Sequence, residues 1–276
     1  MEGQRHTCFF RVGPDEFLFG GLRDRVSLPT LADGYLPIVA IDYVHPSPIQ
    51  SEGAVPLLQE RVVRAPETYR VEALASTDSM LSAHGVVYSQ FSLTAGASGF
   101  VTLEFEDGEN LKFDKGTILD AAGDVIAVLD SNWTWGRNRA QAKIKFGETA
   151  TAAFATKALP ATDRANWVAA KYDEQRLQCE RTWKDILSQG MSVSLPEELI
   201  NNAWRNTLIQ NYSLMRGNRI HYSALNQYDS LYESEGSDAL LAALVWGHES
   251  EVRQMIEPLL ALQPFRVRCR QSLPAR

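Results

Sequence analysis

The chain has 276 residues, 45% hydrophobic and 22% charged, close to the mean for soluble globular proteins. That excludes a disordered polymer as the default and gives room for one large domain or two ordinary ones. The formal net charge of −7 disfavours a nucleic-acid backbone as partner and suits a neutral or cationic ligand.

No apolar run reaches the roughly 18–20 residues that span a bilayer, so no membrane partner is expected. The opening "MEGQRHTCFFRVGPDEF" has neither the apolar stretch nor the small-residue cleavage site of a secretory leader. Cys8, Cys179 and Cys269 fit neither a disulfide framework nor a zinc spacing. They read as free thiols, which leans the expected location toward the cytoplasm.

From about residue 8 to 155 short strand-like runs alternate with turns. The clearest are "YRVEALAST" (69–77), "GVVYSQFSLT" (85–94), "GFVTLEFED" (99–107), "DVIAVLD" (124–130) and "AQAKIKFG" (140–147). Apolar and polar residues alternate in several, as in half-buried antiparallel strands. Asp107-Gly108 and Gly123-Asp124 supply turns. Residues 1–158 are therefore expected to form an antiparallel β-sandwich. Within "DSNWTWGRNRA" (130–140), Trp133 and Trp135 share one strand face beside Arg137 and Arg139. That arrangement fits a sugar platform or an interdomain contact, and a sandwich core or strand edge at least as well.

The pattern changes at Pro160. Residues 159–195 read as a long linker helix plus a connecting strand, "MSVSLP". Thr162 or Asp163 is the candidate N-cap and Gly190 the stop, with Tyr172, Cys179, Trp183, Ile186 and Leu187 on one face. Residues 196–263 read as further helices. One opens at Pro196 and runs to Gly217, burying Leu199, Ala203, Trp204, Leu208 and Tyr212. The next runs from Ser237 to Gly247 and is apolar nearly all round, which predicts burial in a larger helical assembly. The last runs from Ser250 toward Leu262, with Pro258 expected to bend it. Residues 264–276 carry four arginines and no acid, and read either as a disordered basic tail or as sequence foreign to the native protein.

The densest chemistry lies in "YSALNQYDSLYESEGSDALLAALVWGH" (222–248). It holds Asp229, Glu233, Glu235 and Asp238 with Tyr222, Tyr228, Tyr232 and Trp246, and no lysine or arginine. Carboxylates accept paired hydroxyl hydrogen bonds and aromatic rings cover the apolar faces of sugars. The structural alternatives are specific. Asp238 with Ser237 suits a helix start, and Tyr228 and Tyr232, four apart, suit a packed helical face. Glu233 and Glu235 point to opposite sides if extended, which favours Glu235 alone as ligand-facing. The carboxylate spacing misses a calcium-binding loop, so no metal is expected. His248, following Gly247, reads as a charge partner for a helix C-terminus, and His221 has no evident acid–base partner in sequence. A nucleophile-elbow motif, a glycine-rich phosphate loop and paired cysteines are all missing, so no cofactor is expected.

Three segments, "YRVEALASTDSMLSAHGVVYSQFSL" (69–93), "TWKDILSQGMSVSLPEELINNAWRN" (182–206) and "QYDSLYESEGSDALLAALVWGHESEVRQMI" (227–256), occur in the order β-domain, linker helix, helical hairpin. In this the chain resembles the six-hairpin glycosidases, a clan of glucoamylase-like and debranching hydrolases and disaccharide phosphorylases. The resemblance implies a β-supersandwich, a linker helix and an (α/α)6 toroid, with acid–base glycosidic bond cleavage in an oligo- or polysaccharide of α-glucan type. It also implies a sugar subsite at Asp238 and then Asp229, with Glu235, Tyr228 and Tyr232 around it. Twelve helices of about 11–12 residues with loops of about 4–6 need roughly 200 residues. Only 276 − 196 = 80 follow Pro196, so an incomplete toroid is expected, with the general acid outside this chain. The alternative is a non-catalytic carbohydrate-binding or structural protein.

Overall fold

The computed structural model of the protein describes residues 7–45, 66–106, 110–216, 219–221 and 233–262. The chain divides into two compact units, Met1–Thr182 and Trp183–Arg276.

The first unit contains β1 (Cys8–Val12), β2 (Phe17–Leu18), β3 (Thr30–Ala32), β4 (Leu36–Val44), β5 (Thr68–Ala75), a short helix α1 (Ser79–Ala83), β6 (Val86–Ala95) and β7 (Ser98–Phe105). It continues with β8 (Lys112–Asp114), β9 (Thr117–Leu119), β10 (Val125–Leu129), β11 (Trp133–Gly136), β12 (Arg139–Lys145) and β13 (Thr149–Leu159). They form two antiparallel sheets, ordered β11-β12-β7-β1-β2 and β3-β4-β5-β6-β13-β10-β9-β8. Alternation decides which face turns inward. In β7, Val101, Leu103 and Phe105 join the core and Glu104 does not. β10, "VIAVL", is buried at every position because the 3-10 turn Ala169–Lys171 covers it as well. An uninterrupted apolar run suits a strand covered on both faces.

One core joins the two sheets. Phe10 of β1 meets Phe91 of β6 edge to face at 5.0 Å, and Phe91 meets Trp133 of β11 at 5.7 Å. These geometries suit the ring quadrupoles. The Trp133 indole Nε1 donates to the Thr151 carbonyl at 2.9 Å, satisfying its one polar atom. Trp135 stacks on Phe113 at 5.6 Å. Both rings of this tryptophan pair pack against the sandwich core, Trp133 buried and Trp135 partly so.

The expected single helix over 161–190 is broken. A 3-10 turn spans Ala161–Asn166, then Trp167 and Val168 are extended, and after the turn Ala169–Lys171 comes α2 (Tyr172–Ser188). Trp167 is 1% exposed, and burying so large a ring outweighs the local helix preference. The start of α2 docks on the sandwich. The Tyr172 hydroxyl and Arg176 Nε both donate to Glu72 Oε1 at 2.8 Å, and Ser76 Oγ donates to Gln175 Oε1 at 2.7 Å.

The second unit contains α3 (Glu198–Ser213), β14 (Met215–Arg216), β15 (Arg219–Ile220), α4 (Glu233–Val245) and α5 (Glu249–Leu262). In α3 the buried residues are Leu208 and Ile209. Ala203 is exposed, and Leu199, expected in the stripe, is 81% exposed, while Trp204 and Tyr212 are half-buried. Helices α4 and α5 form a hairpin around Leu240, Ala243, Val252 and Met255, with Ile220 of β15. Gly247, at φ +96°, ends α4. Gly247 N donates to Leu244 O and His248 N to Ala243 O, both at 3.0 Å, which is a Schellman closure with glycine in the left-handed position. Helix α4 is not buried all round, since Leu241 is 59% and Val245 64% exposed. Pro258 lies inside α5. No helix among the described residues is long and apolar enough to cross a membrane.

If the Phe10–Phe91–Trp133 cluster ties the sheets together, Phe91→Ala destabilises the β-unit by about 3–5 kcal/mol. Urea unfolding followed by tryptophan fluorescence measures this, and a loss below about 1 kcal/mol contradicts it.

Candidate functional site

Of the residues expected to face a sugar, Tyr228, Asp229 and Tyr232 lie outside the described residues. Glu233 and Glu235 belong to α4, so their backbone is helical rather than extended, and the opposite-sides argument does not hold. Asp238 is not at a helix start. It is exposed, five residues after Glu233 and inside α4, as is Ser237. Glu235 and Asp238 are three apart, a spacing that sets two positions on one helical face.

The described residues build a different constellation on the outer face of the five-stranded sheet. Register brings it together. Thr102 of β7 lies opposite Arg11 of β1 and Gln141 of β12, while Glu104 lies opposite Phe9 and Arg139. Arg11 Nε donates to Glu104 Oε2, and Arg139 Nη2 donates to Glu104 Oε1 at 3.1 Å. Arg139 Nη1 donates to Glu16 Oε2, and Arg11 Nη1 reaches the Glu16 carbonyl at 3.4 Å. Gln141 Nε2 donates to Thr102 Oγ1 at 3.2 Å. The hydrogen bond and then the charge of Arg11, with Arg139 after them, hold the Glu104 carboxyl below its ordinary range against the opposing effect of burial. The four charged side chains are partly exposed, so their pairing fixes geometry more than it adds stability.

Beside this network is a cleft of about 560 Å³ whose lining includes Glu16, Thr102, Thr134, Trp135, Arg137 and Arg139. A two-residue turn, Arg137-Asn138, joins β11 to β12 below the Gly136–Arg139 pair. Both turn residues have positive φ, +52° and +61°, as a type I′ hairpin requires. Asparagine tolerates that conformation, whereas arginine there costs roughly 1–2 kcal/mol. Arg137 is exposed and makes no ion pair or hydrogen bond with another described residue. Sequence reasoning singled out Arg137 and Arg139 but missed Glu16, Thr102, Glu104 and Gln141. The signal available was the alternation of β7, which turns Thr102 and Glu104 away from the core.

His248 does not serve as a helix C-terminal charge partner. It is 2% exposed, and its Nδ1 pairs with the Tyr212 hydroxyl at 2.8 Å. Its Nε2 is buried without a hydrogen-bond partner among the described residues. Gly190, expected as a helix stop, permits this packing, since a Cβ there would lie 2.7 Å from Nε2 and press on the Trp246 carbonyl. Burial pushes the imidazole below its ordinary 6.5, with Glu251 opposing. Burial, with Glu104 nearby, pushes the Cys8 thiol up to about 12, so it is a poor nucleophile. Cys179 is buried and forms no disulfide among the described residues, and Cys269 lies outside the described residues.

Among the described residues no three His, Cys, Asp or Glu side chains come together as a metal site. In comparisons with known proteins, no family model matches the chain and no curated protein matches it in sequence.

The lowered His248 value fixes a sign. The folded state keeps the ring neutral, so this group's stability is present above about pH 6.5 and is lost as pH falls below it. Opening of the α4–α5 hairpin, read by amide hydrogen exchange corrected for intrinsic rates, rises by up to about tenfold per pH unit below that value. His248→Gln flattens the dependence. Equal opening at pH 7.5 and about 5.5 in the parent protein contradicts the assignment.

Proposed function

We propose that the chain is a glycoside-hydrolase-like protein of the six-hairpin type, acting on an oligo- or polysaccharide of α-glucan kind. The observation that carries this reading is the order of its parts. A two-sheet antiparallel sandwich is followed by α2 and α3, then by the α4–α5 hairpin, and the acidic-aromatic stretch 222–248 follows α3 in sequence and includes α4. The exposed Leu241, Leu244 and Val245 of α4 add support, because an (α/α)6 toroid covers such residues with neighbouring helices.

In this reading Asp229, Glu235 and Asp238 accept sugar hydroxyls, and Tyr228 and Tyr232 cover the apolar ring faces. Cleavage needs a second, proton-donating carboxyl at a set separation, and the reading places that general acid outside this chain. The chain alone then binds sugar without turning it over.

One observation favours a second reading, a non-catalytic carbohydrate-binding protein. The cleft on the five-stranded sheet offers hydroxyl, amide and guanidinium groups, while its carboxylate Glu16 is already paired with Arg139.

Calorimetric titration with maltotetraose tests the first reading. Binding is expected, weakened at least about tenfold by Asp229→Asn and by Asp238→Asn, as loss of a hydrogen bond to a charged group predicts. Aryl α-glucoside turnover is expected to be nil. Turnover abolished by Asp238→Asn contradicts the orienting role, and binding indifferent to both substitutions contradicts the sugar subsite.

A further inference from the structure

We propose that the outer face of the five-stranded sheet, at the β11–β12 turn, binds an acidic oligosaccharide, with Arg137 pairing a uronate carboxylate. This goes beyond the toroid reading and does not depend on it.

Three observations converge on the site. The first is charge. On a chain of net charge −7, the cleft and the network beside it hold Arg11, Arg137 and Arg139 against Glu16 and Glu104, three cations to two anions. Glu104 is taken up by Arg11 and Arg139, and Glu16 by Arg139, which leaves the Arg137 guanidinium uncompensated among the described residues. A local cationic surplus on an acidic protein draws anions to that face.

The second is conformation. Arg137 occupies a left-handed turn position at φ +52°, where glycine or asparagine is the unstrained choice. A bulky residue held in such a position beside a cleft marks a site where the side chain is wanted for what it does.

The third is the floor of the cleft. Thr134 of β11 and Gln141 of β12 face one another across it, at roughly the 4.8 Å of neighbouring strands, while Thr102, next on that rung, is 1% exposed and accepts the Gln141 amide. The Thr134 hydroxyl, the Gln141 amide and the Arg139 guanidinium line the cleft and offer hydrogen bonds to sugar hydroxyls. The cleft, about 560 Å³, lies in the range of small-molecule sites, roughly 300–1,000 Å³.

These features together select an acidic sugar. A neutral glucan can bond to the Thr134 and Gln141 groups but offers the exposed Arg137 guanidinium no opposite charge. A carboxylate matches its planar fork with two parallel hydrogen bonds.

Calorimetric titration with tetragalacturonate, at low and high salt, tests the proposal. Arg137→Asn is the informative variant, because asparagine accepts the left-handed backbone and removes only the guanidinium. The parent protein is expected to bind, less tightly as salt rises. Arg137→Asn is expected to weaken binding at least tenfold with an unchanged or higher melting temperature. The proposal is overturned if tetragalacturonate does not bind at millimolar concentration, or if Arg137→Asn binds it as well as the parent. Inorganic phosphate or maltotetraose binding this cleft as tightly would also overturn it, the first by reducing the cleft to a bare anion site. The readout is confined to Arg137, so it can fail while the maltotetraose and Asp238 results stand, and the reverse.

Discussion

β7 pairs with β1 on one side and β12 on the other, and that double register decides which side chains meet the core. Leu103 is set opposite both Phe10 and Ala140, facing inward with Val101 and Phe105. A slip of one residue would exchange them for Thr102 and Glu104. It would bury a carboxylate away from both guanidiniums, at a cost of several kcal/mol. In the native register Glu104 instead meets Arg11 and Arg139 at the surface. One alignment thus makes the sandwich core and, on its reverse, an ordered polar face.

The helical unit is closed by tight approaches rather than by a large core. Gly247 takes the left-handed position that ends α4, and Gly190 leaves room for the Trp246 carbonyl and the His248 ring. Met191 N donates to that carbonyl at 2.6 Å, and Tyr212 holds the imidazole. Side chains that would thicken the hairpin, such as Leu241 and Val245, face solvent. Its stability therefore rests on a few buried groups, one of them the His248 imidazole, whose protonation burial opposes.

Strands with large alternating side chains, such as β6, β7 and β12, were legible in the sequence. So were the break at Pro160 and the helix end at Gly247. β13, "TATAAFATKAL", was not, because its inward residues Ala150 and Ala152 are small and give little hydrophobic contrast. They lie in the shared core, where small side chains let the facing sheet approach. The interruption at Trp167 was hidden for another reason. Local propensity favours helix there, and only a tertiary pocket for the indole overrides it. The polar face was half legible. Arg139 stood out beside the tryptophans, but its partners Glu16 and Glu104 are 123 and 35 residues away, and pairing over such separations is fixed by strand register alone. The acidic stretch was conspicuous, yet what the described residues show of it is a helix start carrying Glu233 and Glu235, with Asp238 exposed further in.

The measurement that bears most directly on the polar face as a receptor is amide chemical-shift mapping by NMR during addition of tetragalacturonate. The account predicts shifts concentrated in β7, β11, β12 and the Arg137-Asn138 turn. Shifts confined to α4 and α5, or absent at saturating sugar, would contradict it.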